Sequence, residues 1–350
     1  MASQLTEIVS LRFGPGKISP LEYFDLGLFD DVTYSRAAKR EFIGRTCNRE
    51  VDAQLNQRQW RAVADSKIVL TATLQGLGFT TPHTYAAYRP EGRSVPNLRF
   101  LRTPDELADY VRHGMPYPVF AKPVRSHHGE GAFRLLDYDS TNDQLLLSAD
   151  GDRCTVTEFV EQVIRFPNTP RFGYIFQQPI AQHPDMVRLS GSTVSTMRMV
   201  VALDDGGPRL VRTMFRVARA AAVTDNLVGG TTSSIAAPIN IETGAIIKAV
   251  SGIGLLAAQV ETHPDTGVPL PGFTIPHWHA CVETVLDAAS LFPGLQLQHW
   301  DVAVGAEGPV LIELNYAGGV TLSQPISRRG ILTPEFLDFV ARRGDPSAKP

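Results

Sequence analysis

The sequence predicts an α+β fold of two α/β lobes preceded by a short helical extension, and three observations carry that expectation. Residues 1–62 are rich in helix-compatible, charged sequence. Between Asp65 and Gln177 short apolar runs alternate with helical patterns, and from Thr196 onward the runs lengthen and finish in a hairpin of two alternating strands. The boundaries read as 1–62, 63–181 and 182–345. A chain of 350 residues with 43% apolar content can bury a core in more than one lobe.

In order along the chain, Ser19-Pro20-Leu21-Glu22 has a capping serine with proline at the first helical position, and segment 35–43 reads as a second short helix. A helix through Lys67-Ile68-Val69-Leu70 ends at Gly76 to Gly78, and short strands follow near 84–88 and 117–122. Ser126-His127-His128-Gly129-Glu130-Gly131-Ala132 is a small turn before a strand at 133–136, with a helix at 155–164 and a buried strand at Tyr174-Ile175-Phe176-Gln177. Beyond Pro179 come longer strands at 196–203 and 210–217, then a Gly-rich loop, Asp225-Asn226-Leu227-Val228-Gly229-Gly230-Thr231. Pro276 starts a helix whose Trp278, Cys281, Val285 and Ala289 form one apolar stripe. The tail after Ala341 is expected to fray.

A formal charge of −3 and a pI near 6.3 leave no basic footprint, so nucleic acid is not an expected partner. The N-terminus lacks a basic segment followed by an apolar run, and no eighteen apolar residues are uninterrupted, so neither secretion nor membrane spanning is expected. Cys47, Cys154 and Cys281 show no metal spacing and suit a reducing cytoplasm as small buried hydrophobes. A homodimer is left open.

Chemistry concentrates in the last hairpin, Gln298-His299-Trp300-Asp301-Val302-Ala303-Val304 and Pro309-Val310-Leu311-Ile312-Glu313-Leu314-Asn315, with Ala306-Glu307-Gly308 as the turn. Pairing brings Asp301 and Glu313 together, and period two puts Glu313 and Asn315 on one face. Two carboxylates and an amide carbonyl are what Mg2+ takes, alongside waters and substrate phosphates. Upstream, Val119-Phe120-Ala121-Lys122-Pro123 and the small-residue turn after it offer phosphates fixed charge and backbone donors. Arg198 lies inside the apolar run Thr196-Met197-Arg198-Met199-Val200-Val201, where a guanidinium needs an anion: a phosphate, a substrate carboxylate, or a structural Asp or Glu.

Lys67, Lys122, the strand leading to Gln178-Pro179-Ile180 and the Asp, Glu-x-Asn hairpin form an ordered series that resembles the ATP-grasp superfamily. Its sugar-transfer-associated branch, related to alpha-L-glutamate ligases, is the nearer likeness. That likeness is carried by Gln178-Pro179-Ile180-x-x-His183-Pro184, Ser195-Thr196-Met197-Arg198, Asp225-Asn226-x-x-Gly229-Gly230, Glu242-Thr243-Gly244, His263-Pro264-x-x-Gly267, Pro276-x-Trp278 and Trp300-Asp301-Val302-Ala303. The match covers about residues 65–320. Two departures stand out: Gln177-Gln178 at the hinge, where many members have an acidic residue and a lysine, and the lack of a Rossmann-like first domain in 1–62.

The resemblance implies an ATP-grasp fold in which two lobes clamp ATP, with Lys67 and Lys122 on phosphates and Gln177, Gln178, Pro179 and Ile180 at adenine. It implies magnesium on Asp301, Glu313 and Asn315. His128 would cover phosphates and His183 would touch ribose. Arg198, Asn226, Gly229, Gly230, Thr231 and His263 would hold the acceptor, with Lys122, Arg198 and Asn226 serving the reaction. For His183 and His263 an ordinary loop histidine is the alternative. The implied activity is ATP-dependent amide or peptide bond formation through an acyl phosphate, on an amino acid, peptide or sugar acid. A small-molecule kinase and a non-catalytic nucleotide-binding module are the alternatives.

Overall fold

The computed structural model describes residues 2–126, 129–148, 151–219, 235–252 and 254–348. Two sheets organise it. The first has five strands in the order Arg99–Leu101, Thr84–Tyr88, Tyr174–Gln177, Val119–Pro123 and Phe133–Leu135. The second, antiparallel throughout, has seven: Ala258–Gln259, Val250–Ser251, Ile235–Pro238, Gly207–Val217, Thr196–Asp204, Leu297–Gly305 and Gly308–Asn315. A small third sheet, Asp137–Asp139, Gln144–Leu146 and Arg153–Thr155, was not foreseen because its strands are too short to show a period.

Each sheet buries one face on helices. Val156–Arg165 packs Phe159 and Val163 against Phe176 and Ala121 of the first sheet. Its capping box, Thr155 with Glu158, sets where it starts. In the strand Thr196–Asp204, Met197, Met199, Val201 and Leu203 share a core with Cys281 and Val285 of the helix Trp278–Ser290, while Arg198, Val200 and Ala202 face the other way. That second face is divided. Arg198 and Val200 line an open cleft, and Val200, Ala202 and Leu297 are also covered by Val51 and Leu55 of the helix Arg45–Leu55 and by Phe336 and Phe339 of the helix Pro334–Arg343.

The N-terminal helices are Ala2–Arg12, Pro20–Asp25, Arg36–Arg40, Arg45–Leu55 and Arg61–Asp65. Ser19 makes the expected capping box with Glu22. The helix Arg45–Leu55 starts on Gly44 with no side-chain cap, which removes the usual start signal. It is tied to the second sheet by Asn56, whose amide donates to the Leu297 carbonyl at 2.8 Å and accepts from the Leu297 N–H at 3.0 Å. The tail, expected to fray beyond Ala341, is held instead: Arg342 pairs with Asp204 and Asp338, and the Asp345 N–H donates to the Gln54 carbonyl at 2.9 Å.

Candidate active site

The hairpin forms with Leu297–Gly305 paired to Gly308–Asn315, and Gly308 turns it with φ of 137°. Asp301 stands opposite Glu313 on one side and opposite Arg198 on the other, so three strands put arginine, aspartate and glutamate in one row. The register slips by one residue after Asp301, a β-bulge that re-aims the side chains beside it.

Arg198 grips Asp301 with two donors, Nε to Oδ1 at 2.5 Å and Nη2 to Oδ2 at 3.1 Å, and its Nη1 donates to the Gly318 carbonyl at 2.9 Å. Arg216, four residues from Arg212 on the neighbouring strand, adds a contact to Asp301 Oδ2 at 3.0 Å. Burial alone would raise the Asp301 pKa, but the two guanidiniums outweigh it and hold the carboxyl below its usual range. Of the anions open to Arg198, the structural carboxylate is the one present. Arg216 was missed in the sequence, although the argument used for Arg198 applies to any arginine inside the apolar strand at 210–217.

From the first lobe, Lys122 projects from Val119–Pro123 and Lys67 from the first turn of the helix Lys67–Gly76. Lys67 Nζ lies 3.1 Å from Glu313 Oε1, so one ion pair already bridges the lobes. Lys122 has no hydrogen bond or ion pair among the described residues, and its ammonium lies 5.6 Å from the Phe120 ring centroid. Burial, then the neighbouring Lys67 charge, push its pKa down to about 8, against the pull of Glu313 and Asp301. A buried, unpaired ammonium is what an incoming phosphate would stabilise.

These groups converge on one cavity of about 430 Å³ between the sheets. Lys67, Lys122, Gln177, Gln178, Pro179 and Ile180 line it from the first lobe, and Arg198, Asp301, Glu313 and Asn315 from the second. Ser126 and Gly129 of the small-residue turn also reach it. Gln177 donates its amide to Thr84 Oγ1 at 3.0 Å, while its buried Oε1 has no hydrogen-bond partner among the described residues. The Gln178 N–H already donates to the His83 carbonyl at 2.8 Å, so at this residue the main chain offers only a carbonyl. A family model for sugar-transfer associated ATP-grasp proteins matches residues 46–335.

The chain belongs to that family. The ATP-grasp match starts inside the helix Arg45–Leu55, so this helix falls within the family region. No curated protein matches the chain. Solved structures similar to it include the ATP-grasp ligase PsnB complexed with a minimal precursor (TM-score 0.41, 14% identity, 82% of this chain and 63% of that one). They also include the L-amino acid ligase from Bacillus licheniformis (0.43, 13%, 83% and 52%) and D-alanyl-alanine synthetase A from Vibrio cholerae (0.44, 12%, 82% and 67%). The chain spans less than two thirds of the length of the first two.

Two residues expected in this ATP-grasp cleft lie elsewhere. His183 caps the helix Pro184–Ser190, its Nδ1 accepting from the Asp185 N–H at 3.2 Å, and its ring meets His277 edge-on. His263 is fully buried: Nδ1 accepts from the Asp265 and Thr266 N–H groups, so the remaining proton sits on Nε2, which donates to the Ala218 carbonyl at 2.8 Å. Both histidines use a ring nitrogen to accept backbone N–H groups just beyond the following proline, closing a turn. His128, Asn226, Gly229, Gly230 and Thr231 lie outside the described residues.

The cleft fits a nucleotide and a divalent cation in its donor types. Glu313 and Asn315 present oxygens on one face, and Asp301 keeps lone pairs that its arginines do not use. His299, fully buried beside Asp301, also lines it; neither ring nitrogen has a hydrogen-bond partner among the described residues, and Nε2 is 3.8 Å from Asp52 Oδ1 of the helix Arg45–Leu55.

Proposed function

We propose that this chain is an ATP-dependent carboxylate–amine ligase that forms an amide or peptide bond, with an amino acid, peptide or sugar acid as the activated reactant. The observation that carries the reading is a single cavity faced by Lys67 and Lys122 from one sheet and by Asp301, Glu313 and Asn315 from the other. A carboxylate is a poor electrophile because its leaving group is bad. Transfer of the γ-phosphoryl group to it gives an acyl phosphate and ADP, and an amine then attacks the acyl carbon and releases phosphate.

Lys122 and Lys67 supply the fixed positive charge that phosphate oxygens need as charge moves between them. Magnesium held by Glu313, Asn315 and Asp301 would neutralise phosphate oxygens when bound. Arg198 acts through Asp301, holding it in one rotamer. Gln177 Oε1, buried without a partner, is suited to accept from the exocyclic amine of adenine, with the Gln178 carbonyl and Ile180 N–H as main-chain contacts. The test is mass spectrometry of reactions with ATP and Mg2+ across libraries of carboxylates and amines. The reading requires a product with the mass of acid plus amine less water, formed together with ADP; a phosphorylated alcohol would assign a kinase instead.

A further inference from the structure

The second-lobe side of the cleft carries one charge too many for the partners it has. Among the described residues, six cationic side chains line the cavity, Lys67, Lys122, Arg134, Arg198, Arg212 and Arg216, against the carboxylates of Asp301 and Glu313. Both carboxylates are already taken, Asp301 by Arg198 and Arg216, and Glu313 by Lys67. Lys122 faces the end where phosphates would lie. Arg134, from the first-lobe strand Phe133–Leu135, donates to Thr193 Oγ1 at 3.3 Å. On the second-lobe side Arg212 remains, and nothing in the nucleotide reading uses it.

Arg212 sits on the strand Gly207–Val217 opposite Val200, while Met214 is opposite Arg198. Two residues along a strand is about 7 Å, so Arg212 lies one repeat beyond the row containing Arg198 and Asp301. Among the described residues its guanidinium meets neutral oxygens: Nη1 donates to Ser323 Oγ at 3.3 Å and Nη2 to the Gly330 carbonyl at 2.7 Å. Five N–H donors are available in a guanidinium, so some stay unused. Burial, then the like charge of Arg329, push its pKa down to about 10, the opposite of what an acidic partner would do. A half-buried cation that meets neutral oxygens still has donors and charge for an anion reaching it from the cleft.

We propose that Arg212, with Ser323 beside it, forms a subsite for a second carboxylate on the reactants, one that is held but not activated. The substrate class is thereby narrowed to a pair of reactants that includes a dicarboxylate or an amine that itself bears a carboxylate, with the spectator group roughly 7 Å from the phosphoryl-transfer row. The identity of the reacting carboxyl rests on the ligase reading; the anion subsite does not.

The test is calorimetric titration of malonate into the full chain saturated with Mg2+ and a non-hydrolysable ATP analogue, with inorganic phosphate titrated in parallel. Wild type is expected to bind malonate saturably and more tightly than phosphate. Arg212→Gln should weaken malonate by about tenfold or more, as loss of a charged hydrogen-bonding partner does, with nucleotide affinity unchanged, and Arg212→Lys should fall between. No malonate binding by wild type, tighter binding of phosphate, equal malonate binding by Arg212→Gln, or an equal loss of nucleotide affinity would each overturn the proposal. If Arg212→Gln does not fold, protection of Arg212 from phenylglyoxal in wild type decides instead: malonate should slow its labelling, and unchanged labelling overturns the subsite. Malonate binding at Arg212 in a protein that makes no amide from any acid would leave the subsite standing and sink the ligase reading.

Discussion

Lys122 and Asp301 show how differently two buried charges behave in one cleft. Lys122 is held near pH 8 by burial and by Lys67, so it is mostly charged at neutral pH in the nucleotide-free protein. As pH rises through about 8 that ammonium is lost, and nucleotide affinity measured by calorimetry should fall with it; Lys122→Arg, which stays charged, should flatten that limb. The stability effect runs the other way. Because the folded pKa is depressed below the ordinary lysine value, the unfolded chain binds the extra proton between about 8 and 10.5, and this penalty on the fold is relieved as pH climbs across that window. Lys122→Ala should lower turnover by about a hundredfold or more, as loss of a preorganised charge does, with Lys67→Ala milder. Asp301 and Glu313 read alike in the sequence and separate in the structure. Asp301→Asn strips Arg198 and Arg216 of the carboxylate they share and should cost about 3 kcal/mol or more, visible in chemical denaturation. Glu313→Gln, at a more open position, should abolish turnover while leaving the unfolding transition near that of wild type. Side-chain period exposed Asp301, Glu313 and Asn315 to a reader of the sequence, but the arginines that share Asp301 depend on register between strands about 100 residues apart, which no local pattern carries.

At the scale of elements, what repeats locally could be read and what is completed by distant chain could not. The helix Lys67–Gly76, the buried strand Tyr174–Gln177 and both hairpin strands lie where their periods and punctuation put them. The helix Arg45–Leu55 has neither a capping side chain nor a Gly stop, and only its seat against Val200, Ala202 and Leu297 explains it. This seat changes what the N-terminal region is for. It seals one end of the sheet face that carries Arg198, and it brings Asp52 to His299. Deleting 1–62 should therefore yield insoluble or unfolded protein, while Asn56→Ala should cost about 1–3 kcal/mol by leaving the Leu297 N–H and carbonyl without their buried partner. A soluble truncation with a sharp thermal transition would show that the helices are an accessory.

Across the whole molecule, a chain of net charge −3 gathers, among its described residues, six cations and two carboxylates around one cavity. The fold was legible because the order of lysines, hinge strand and acidic hairpin survives in sequence, and the same order let Lys67, Lys122, Asp301, Glu313 and Asn315 be expected near one another, as they are around the cavity. Two histidines were placed by motif, His263 at the acceptor and His183 at ribose, and both serve as turn-closing groups, whereas Arg212, the proposed anion subsite, stood unnoticed inside a strand read only as long. The central claim is that the concentrated positive charge serves phosphoryl transfer to a carboxylate. Hydroxylamine tests this most directly, since it intercepts an acyl phosphate whatever the natural amine. With ATP, Mg2+ and the correct acid, a hydroxamate should form in step with ADP and vanish in Lys122→Ala; ADP release with a phosphorylated alcohol and no hydroxamate from any acid would contradict it.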